Sequence, residues 1–188
     1  MAMNEKTNVF IEDEEITLRT IEMEDKEFLR DLVLAPEVRN TIGRPPKPTN
    51  LKQQKDYIEK IGSDEDIAAF LIEYKGEKAG NISLHGLEDE YRRGEFGISI
   101  HPDYHNKGIG TKAVQLIVKY AFKTQNMHKV RGAYLEHNPA SKRVMEKAGF
   151  QKEGRERHYK YVNGEWKDAI WMSILEDEYR KQQQELSK

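Results

Sequence analysis

Two glycines stand two positions apart in His105-Asn-Lys-Gly-Ile-Gly-Thr111, at the head of an apolar stretch. The residues before them, Ile98 to Ile100, read as the end of a strand, and Pro102 breaks it. Strand, turn and a helix opened by glycine leave a row of bare main-chain N–H groups at the positive end of a helix. Such a terminus holds a phosphate or pyrophosphate. Gly in a helix costs about 1 kcal/mol against Ala, so Gly108 and Gly110 need a reason. Another side chain could move a proton. Glu95 lies on the strand leading into the cradle, and a carboxylate can take a proton.

The cradle alone admits several readings. Gly108-Ile-Gly-Thr-Lys-Ala113 fits G-x-G-x-x-A, the dinucleotide fingerprint, but it sits mid-chain after hairpins rather than at a first strand-to-helix turn. A P-loop is excluded, because no Gly-Lys-Ser/Thr closes the required spacing. A helix that merely opens on glycines is the structural alternative.

The surrounding pattern supplies the elements. Residues 16–21 alternate apolar and polar, as a strand does. Residues 24–35 carry Phe28, Leu29, Leu32 and Val33 at helical spacing, and Pro36 is expected to stop that helix. Residues 43–48 read as a stiff loop, after which Thr49 or Asn50 caps a helix running to about Gly62. Strands are predicted over 68–74 and 79–85 around a turn at 75–78, then over 93–100 after an acidic loop at 87–91. The helix after the cradle puts Ala113, Leu116, Ile117, Tyr120 and Ala121 on one face. A strand at 129–135, a helix from Asn138 to Gly149, a hairpin of 151–161 and 166–175 across Asn163-Gly164, and a polar helical tail follow. The order β-α-α-β-β-β-α-β-α-β-β predicts a mixed α/β sheet with helices on both faces.

Bulk properties agree with small-molecule chemistry. The 188 residues suit one domain, residues 1–188, with a core over about 16–179. Lys and Arg number 31 and Asp and Glu 33, a net charge of −2, which argues against nucleic-acid or acidic-membrane binding. There is no cysteine, which excludes disulfides, thiolate zinc sites and cysteine nucleophiles. His101, His128 and His137 lack metal-ligand spacing, so no metal is expected. No apolar run approaches the about 18 residues of a membrane span, and residues 1–13 lack a signal-peptide core, so a cytoplasmic protein is expected.

Four segments in order resemble the GNAT N-acetyltransferase superfamily over roughly residues 16–179. His105-Asn-Lys-Gly-Ile-Gly110 is similar to its R/Q-x-x-G-x-G/A motif, with His105 in place of Arg or Gln. Asn138-Pro-Ala-Ser-Lys-Arg-Val-Met-Glu-Lys-Ala-Gly-Phe150 resembles its second motif, and Arg92-Arg-Gly-Glu-Phe-Gly-Ile98 its fourth strand. Asn163-Gly-Glu-Trp-Lys-Asp-Ala-Ile-Trp-Met172 looks like the closing hairpin of the ribosomal-protein-alanine and spermidine acetyltransferase branch.

The resemblance implies a mostly antiparallel sheet splayed between the fourth and fifth predicted strands, with acetyl-CoA as co-substrate and its pantetheine arm inserted like a strand. It implies acetyl transfer to a primary amine by direct attack: a protein N-terminus, a polyamine or another small amine. The implied cofactor contacts are His105, Asn106, Lys107, Gly108, Ile109, Gly110 and Thr111 around the pyrophosphate, an N–H near Ser99 or Ile100 on the thioester carbonyl, Asn138 and Ser141. A primary amine with a pKa of about 10 is ammonium near neutral pH, so a base is required, and Glu95 is the candidate, either as base or as cation binder. Gly97 suggests a bulge or close approach. Many relatives carry a tyrosine seven positions after the Asn138-like residue, where this chain has Met145, so Ser141 is the substitute acid. Tyr159 and Tyr161, alternating with His158 and Lys160, are expected to wall the acceptor pocket, while Trp166 and Trp171 are expected in the core. A homodimer is among the assemblies open to such a chain. A CoA-binding sensor without efficient catalysis is the competing function.

Overall fold

The computed structural model describes residues 9–42 and 47–186. Eight strands make one sheet in the order β1-β2-β3-β4-β5-β6-β8-β7. They are β1 (Val9–Glu12), β2 (Ile16–Thr20), β3 (Ile67–Tyr74), β4 (Glu77–His85), β5 (Arg93–Ile100), β6 (Lys129–Leu135), β7 (Gln151–Val162) and β8 (Glu165–Leu175). Every neighbour pair is antiparallel except β5 and β6, which are parallel. The helices are α1 (Lys26–Leu34), α2 (Pro36–Arg39), α3 (Leu51–Ser63), α4 (Ile109–Lys123), α5 (Pro139–Lys147) and α6 (Glu176–Leu186).

Two apolar layers sandwich the sheet, and β3 shows why. Phe70 and Ile72 point into the larger core with Ile82, Val114 and Ile117. Leu71, between them, points the other way, into a smaller core with Leu29, Leu32, Val38 and Ile58. A strand buried on both faces reads as a continuous apolar run, as residues 67–72 do. Helices α4, α5 and α6 cover the first face, and α1, α2 and α3 the second.

The structure adds to the sequence reading at two places. Val9–Glu12 is an additional edge strand, short and half exposed, so its alternation carries little signal. Pro36 stops α1, as expected, by pushing the residue before it out of helical geometry. Ala35 breaks α1 with ψ 128°, and Pro36 then opens α2 at a first-turn position that needs no N–H. Residues 43–46, within the predicted stiff loop, lie outside the described residues. The cap of α3 is as expected: Asn50 Oδ1 accepts from the Gln53 N–H while Gln53 Oε1 accepts from the Asn50 N–H.

A buried ionic knot holds the start of α1 to the sheet. Asp25 has no exposed surface and accepts from Arg19 at 2.8 Å, Lys78 at 2.7 Å and the Glu22 N–H at 2.9 Å. Arg19 also reaches Glu73 at 2.6 Å. Three elements are thereby joined by one carboxylate.

Candidate active site

Strands β5 and β6 begin as partners and then part. Arg93, Gly94 and Glu95 pair with Lys129, Val130 and Arg131, and there the pairing stops, although β5 runs on to Ile100 and β6 to Leu135. The opening lies in a cleft of about 830 Å³, which reaches from α2 and α3 to the turn before α4. The backs of the parting strands are packed. The Phe96 ring lies over β6 so closely that a Cβ on Gly132 would sit 2.5 Å from it, and the Phe150 ring packs against it with centroids 5.2 Å apart.

Main-chain alternation decides which groups face the seam. His101 donates to the Ala79 carbonyl on β4, while the Arg92 carbonyl accepts from β6. Residues of one parity therefore bond β4 and those of the other face β6. The amides of Ile98 and Ile100 open on the seam, and that of Ser99 is turned to β4. Of the two N–H groups expected near a carbonyl oxygen, that of Ile100 faces the seam and that of Ser99 faces β4. Gly97 makes no bulge, since β4 and β5 pair without a register shift, and a Cβ there would meet only the Ser83 hydroxyl at 3.5 Å.

The open edge runs into the glycine turn. Asn106 and Gly108 adopt positive φ, 61° and 80°, which turns successive amides into one concavity. Lys112 is the first amide of the turn to find a partner, the Gly108 carbonyl at 3.1 Å. Among the described residues, no acceptor takes the amides of residues 106 to 111. Among the described residues, nothing lies within 4 Å of a Cβ placed on Gly108, and one on Gly110 would touch only Val144 and Ile100, at 3.4 Å or more. The positive φ of Gly108 accounts for that glycine, while the space beside both is left open. His105 closes the turn on the strand, with Nε2 3.0 Å from the Ile100 carbonyl. The Lys107 ammonium rests 5.0 Å from the Tyr104 ring. The Ile109 side chain is core, so only its main chain is offered.

Glu95 stands at the point where the strands separate. Arg131 donates to Glu95 Oε2 from Nε at 3.1 Å and from Nη2 at 2.9 Å. The same guanidinium lies 4.7 Å over the Trp171 ring, and Trp171 Nε1 donates to Glu156 at 3.0 Å. Tyr159 closes this end, and its phenol is pushed up by burial and by the charges of Glu156 and Glu95.

Tyr161 does not join it. Glu156 opposes Ala169 and Lys160 opposes Lys167, so residues 157–159 share the single residue Asp168 as their opposite. Such a bulge re-aims side chains. Asp168 fixes it by accepting from the His158 N–H at 2.8 Å and from Arg155, and these bonds hold its carboxyl below the usual range. The bulge breaks the alternation that would have put Tyr159 and Tyr161 together. Tyr161 is exposed, 5.4 Å from Trp166, which is also exposed. Neither tryptophan is core, and Trp171 lines the cleft.

On α5, Asn138 Oδ1 caps the helix by accepting from the Ser141 N–H at 3.1 Å. The Ser141 hydroxyl lines the cleft and has no partner among the described residues. Met145 is 1% exposed within the main core and does not line the cleft. Tyr134, on the freed half of β6, does line it.

Three contributors escaped the sequence reading. Ser83 and His85 alternate on one face of β4 opposite Gly97 and Glu95, and all four line the cleft. Their period-two spacing was readable; the register that sets them against Glu95 was not. Lys160 is 5% exposed and donates to the carbonyls of Arg39 at 3.2 Å and Ile42 at 2.5 Å, fastening α2 and the chain after it to β7. Burial pulls its ammonium below the usual lysine range.

The model of the acetyltransferase (GNAT) domain matches residues 15–151. Spermidine N(1)-acetyltransferase of Escherichia coli (strain K12) is 30% identical over 164 residues, 87% of this chain and 88% of that protein. The putative ribosomal N-acetyltransferase YdaF of Bacillus subtilis (strain 168) is 31% identical over 175 residues, 88% of this chain and 94% of that protein. The fold matches the crystal structure of spermidine N-acetyltransferase from Vibrio cholerae in complex with CoA and spermine, with TM-score 0.83 at 24% identity over 89% of this chain and 99% of that one. With its strands parted and a glycine turn at their open end, the chain belongs to the acetyltransferase (GNAT) family and is an N-acetyltransferase.

Proposed function

We propose that the protein moves the acetyl group of acetyl-CoA to a primary amine by direct attack while both are bound. The observation that carries this reading is the loss of β5–β6 pairing past Glu95 and Arg131, in line with the unclaimed amides of residues 106–111. A diphosphate suits those amides and the positive terminus of α4. An extended pantetheine arm suits the bare edge of β5. When bound, acetyl-CoA supplies the acetyl group as a thioester. The Ile98 and Ile100 amides face the seam where a carbonyl oxygen can accept from them. Ser141 and Tyr134 are the hydroxyls available to a departing thiolate. Glu95 keeps Oε1 free of Arg131 and can accept from an ammonium.

The acceptor is a polyamine, a protein N-terminus or another small amine. Glu37 and Glu95 both line the acceptor end, and two of the similar proteins are spermidine acetyltransferases, which supports a cationic acceptor. A thiol-release screen across polyamines, short peptides and aminoglycosides, with calorimetric titration of acetyl-CoA, tests the reading. Binding with release from one amine class is expected. The lack of a proton donor at Met145 favours one other reading, a CoA-binding module without turnover. Binding without release from any amine would select it.

A further inference from the structure

The amine must lose a proton, and two polar side chains of β4 lie beside Glu95. Ser83 and His85 lie on β4, directly opposite Gly97 and Glu95 on β5. Opposed residues of an antiparallel pair share a face, with Cβ atoms about 5 Å apart. Ser83 is 8% exposed, and its hydroxyl lies 2.9 Å from His85 Nε2. Gly97, having no side chain, leaves that hydroxyl uncovered toward the cleft. His85 itself is exposed at the end of the strand. One buried hydroxyl thus links the reacting end of the cleft to an imidazole in contact with solvent.

Resting on the acetyl-transfer reading, we propose that His85 is the terminal proton acceptor for the amine, reached through the Ser83 hydroxyl while Glu95 holds the ammonium. The N–H bond of the ammonium breaks and its proton passes to Ser83 Oγ. The hydrogen already on Ser83 passes to His85 Nε2, with the ring starting in its Nδ1–H tautomer. The amine becomes neutral, the imidazole becomes imidazolium, and Ser83 ends unchanged. The imidazolium returns its proton to water. Imidazole suits this task because it changes charge in the physiological range.

The experiment compares two acceptors on the full chain. One is the best alkyl amine from the screen. The other is a weakly basic amine, aminoacetonitrile, which is neutral at the assay pH and needs no prior deprotonation. His85→Gln and Ser83→Ala should each lower kcat for the alkyl amine about 10²-fold, and for aminoacetonitrile by no more than about threefold. Equal losses on both amines would mark a structural role and overturn the proposal, as would no loss on either. His85→Gln sits at an exposed strand end, so a thermal melt close to wild type is expected, and it keeps the test valid if Ser83→Ala folds poorly. Wild-type protein that releases thiol from no amine at all would overturn the acetyl-transfer reading, and this proposal with it.

Discussion

Arg131 grips Glu95 at 2.9 Å on the last register pair before β5 and β6 separate. The ion pair closes the fork, and the guanidinium is held in turn by the face of Trp171. One carboxylate oxygen is therefore held by Arg131 and the other is not. Glu95→Gln keeps the shape and removes the charge. It should lower kcat/KM for the amine about 10²-fold, with acetyl-CoA affinity by titration changed less than about twofold. Unchanged turnover would remove Glu95 from the reaction.

Ser141 donates its main-chain N–H to Asn138, and its hydroxyl has no partner among the described residues. A donor that acts only on a departing thiolate affects kcat and leaves binding alone. Ser141→Ala is expected to reduce kcat at least about tenfold with unchanged acetyl-CoA affinity. Tyr134→Phe should change it less. The reverse ranking would move the proton donor from α5 to β6.

Lys160 should act on the acceptor and not on the nucleotide end. Lys160→Met breaks two bonds to carbonyls of the segment that walls the acceptor end, at a cost of about 1–3 kcal/mol in stability. The amine KM is expected to rise several-fold while acetyl-CoA affinity holds. A matching loss of both affinities would show general loosening instead.

Asp25 gives the fold an acid limit. Burial alone would raise its carboxyl, but the bonds from Arg19, Lys78 and the Glu22 N–H outweigh it and hold the group at about 2, against an ordinary 3.8. The unfolded chain then binds the extra proton between those values. The stabilisation is complete above about pH 4 and is lost as pH falls through about 2, a change of roughly 1–2 kcal/mol after solvent screening. Denaturant melts at pH 7, 4 and 2 should show this loss. Asp25→Asn should flatten it and cost about 3 kcal/mol at pH 7, because Arg19 and Lys78 lose their shared partner.

The elements were legible because their signals are local. Asn50 before a helical stretch, Asn163-Gly164 between two runs and Gly108 before an apolar face each fix their own neighbourhood. The glycine turn and Glu95 were readable for the same reason. What escaped depends on register and on long-range contact. Ser83 and His85 matter only through the residues opposite them. The β7 bulge depends on Asp168, one strand away, and it separated Tyr159 from Tyr161 against their spacing. Lys160 looked like one more surface lysine until its carbonyl partners, more than 110 positions away, enclosed it.

Gly132 and Phe96 carry a consequence for packing. Any larger residue at 132 would collide with that ring, which packs in turn on Phe150. The packing of β5 against β6 at this point thus rests on a side chain that is missing.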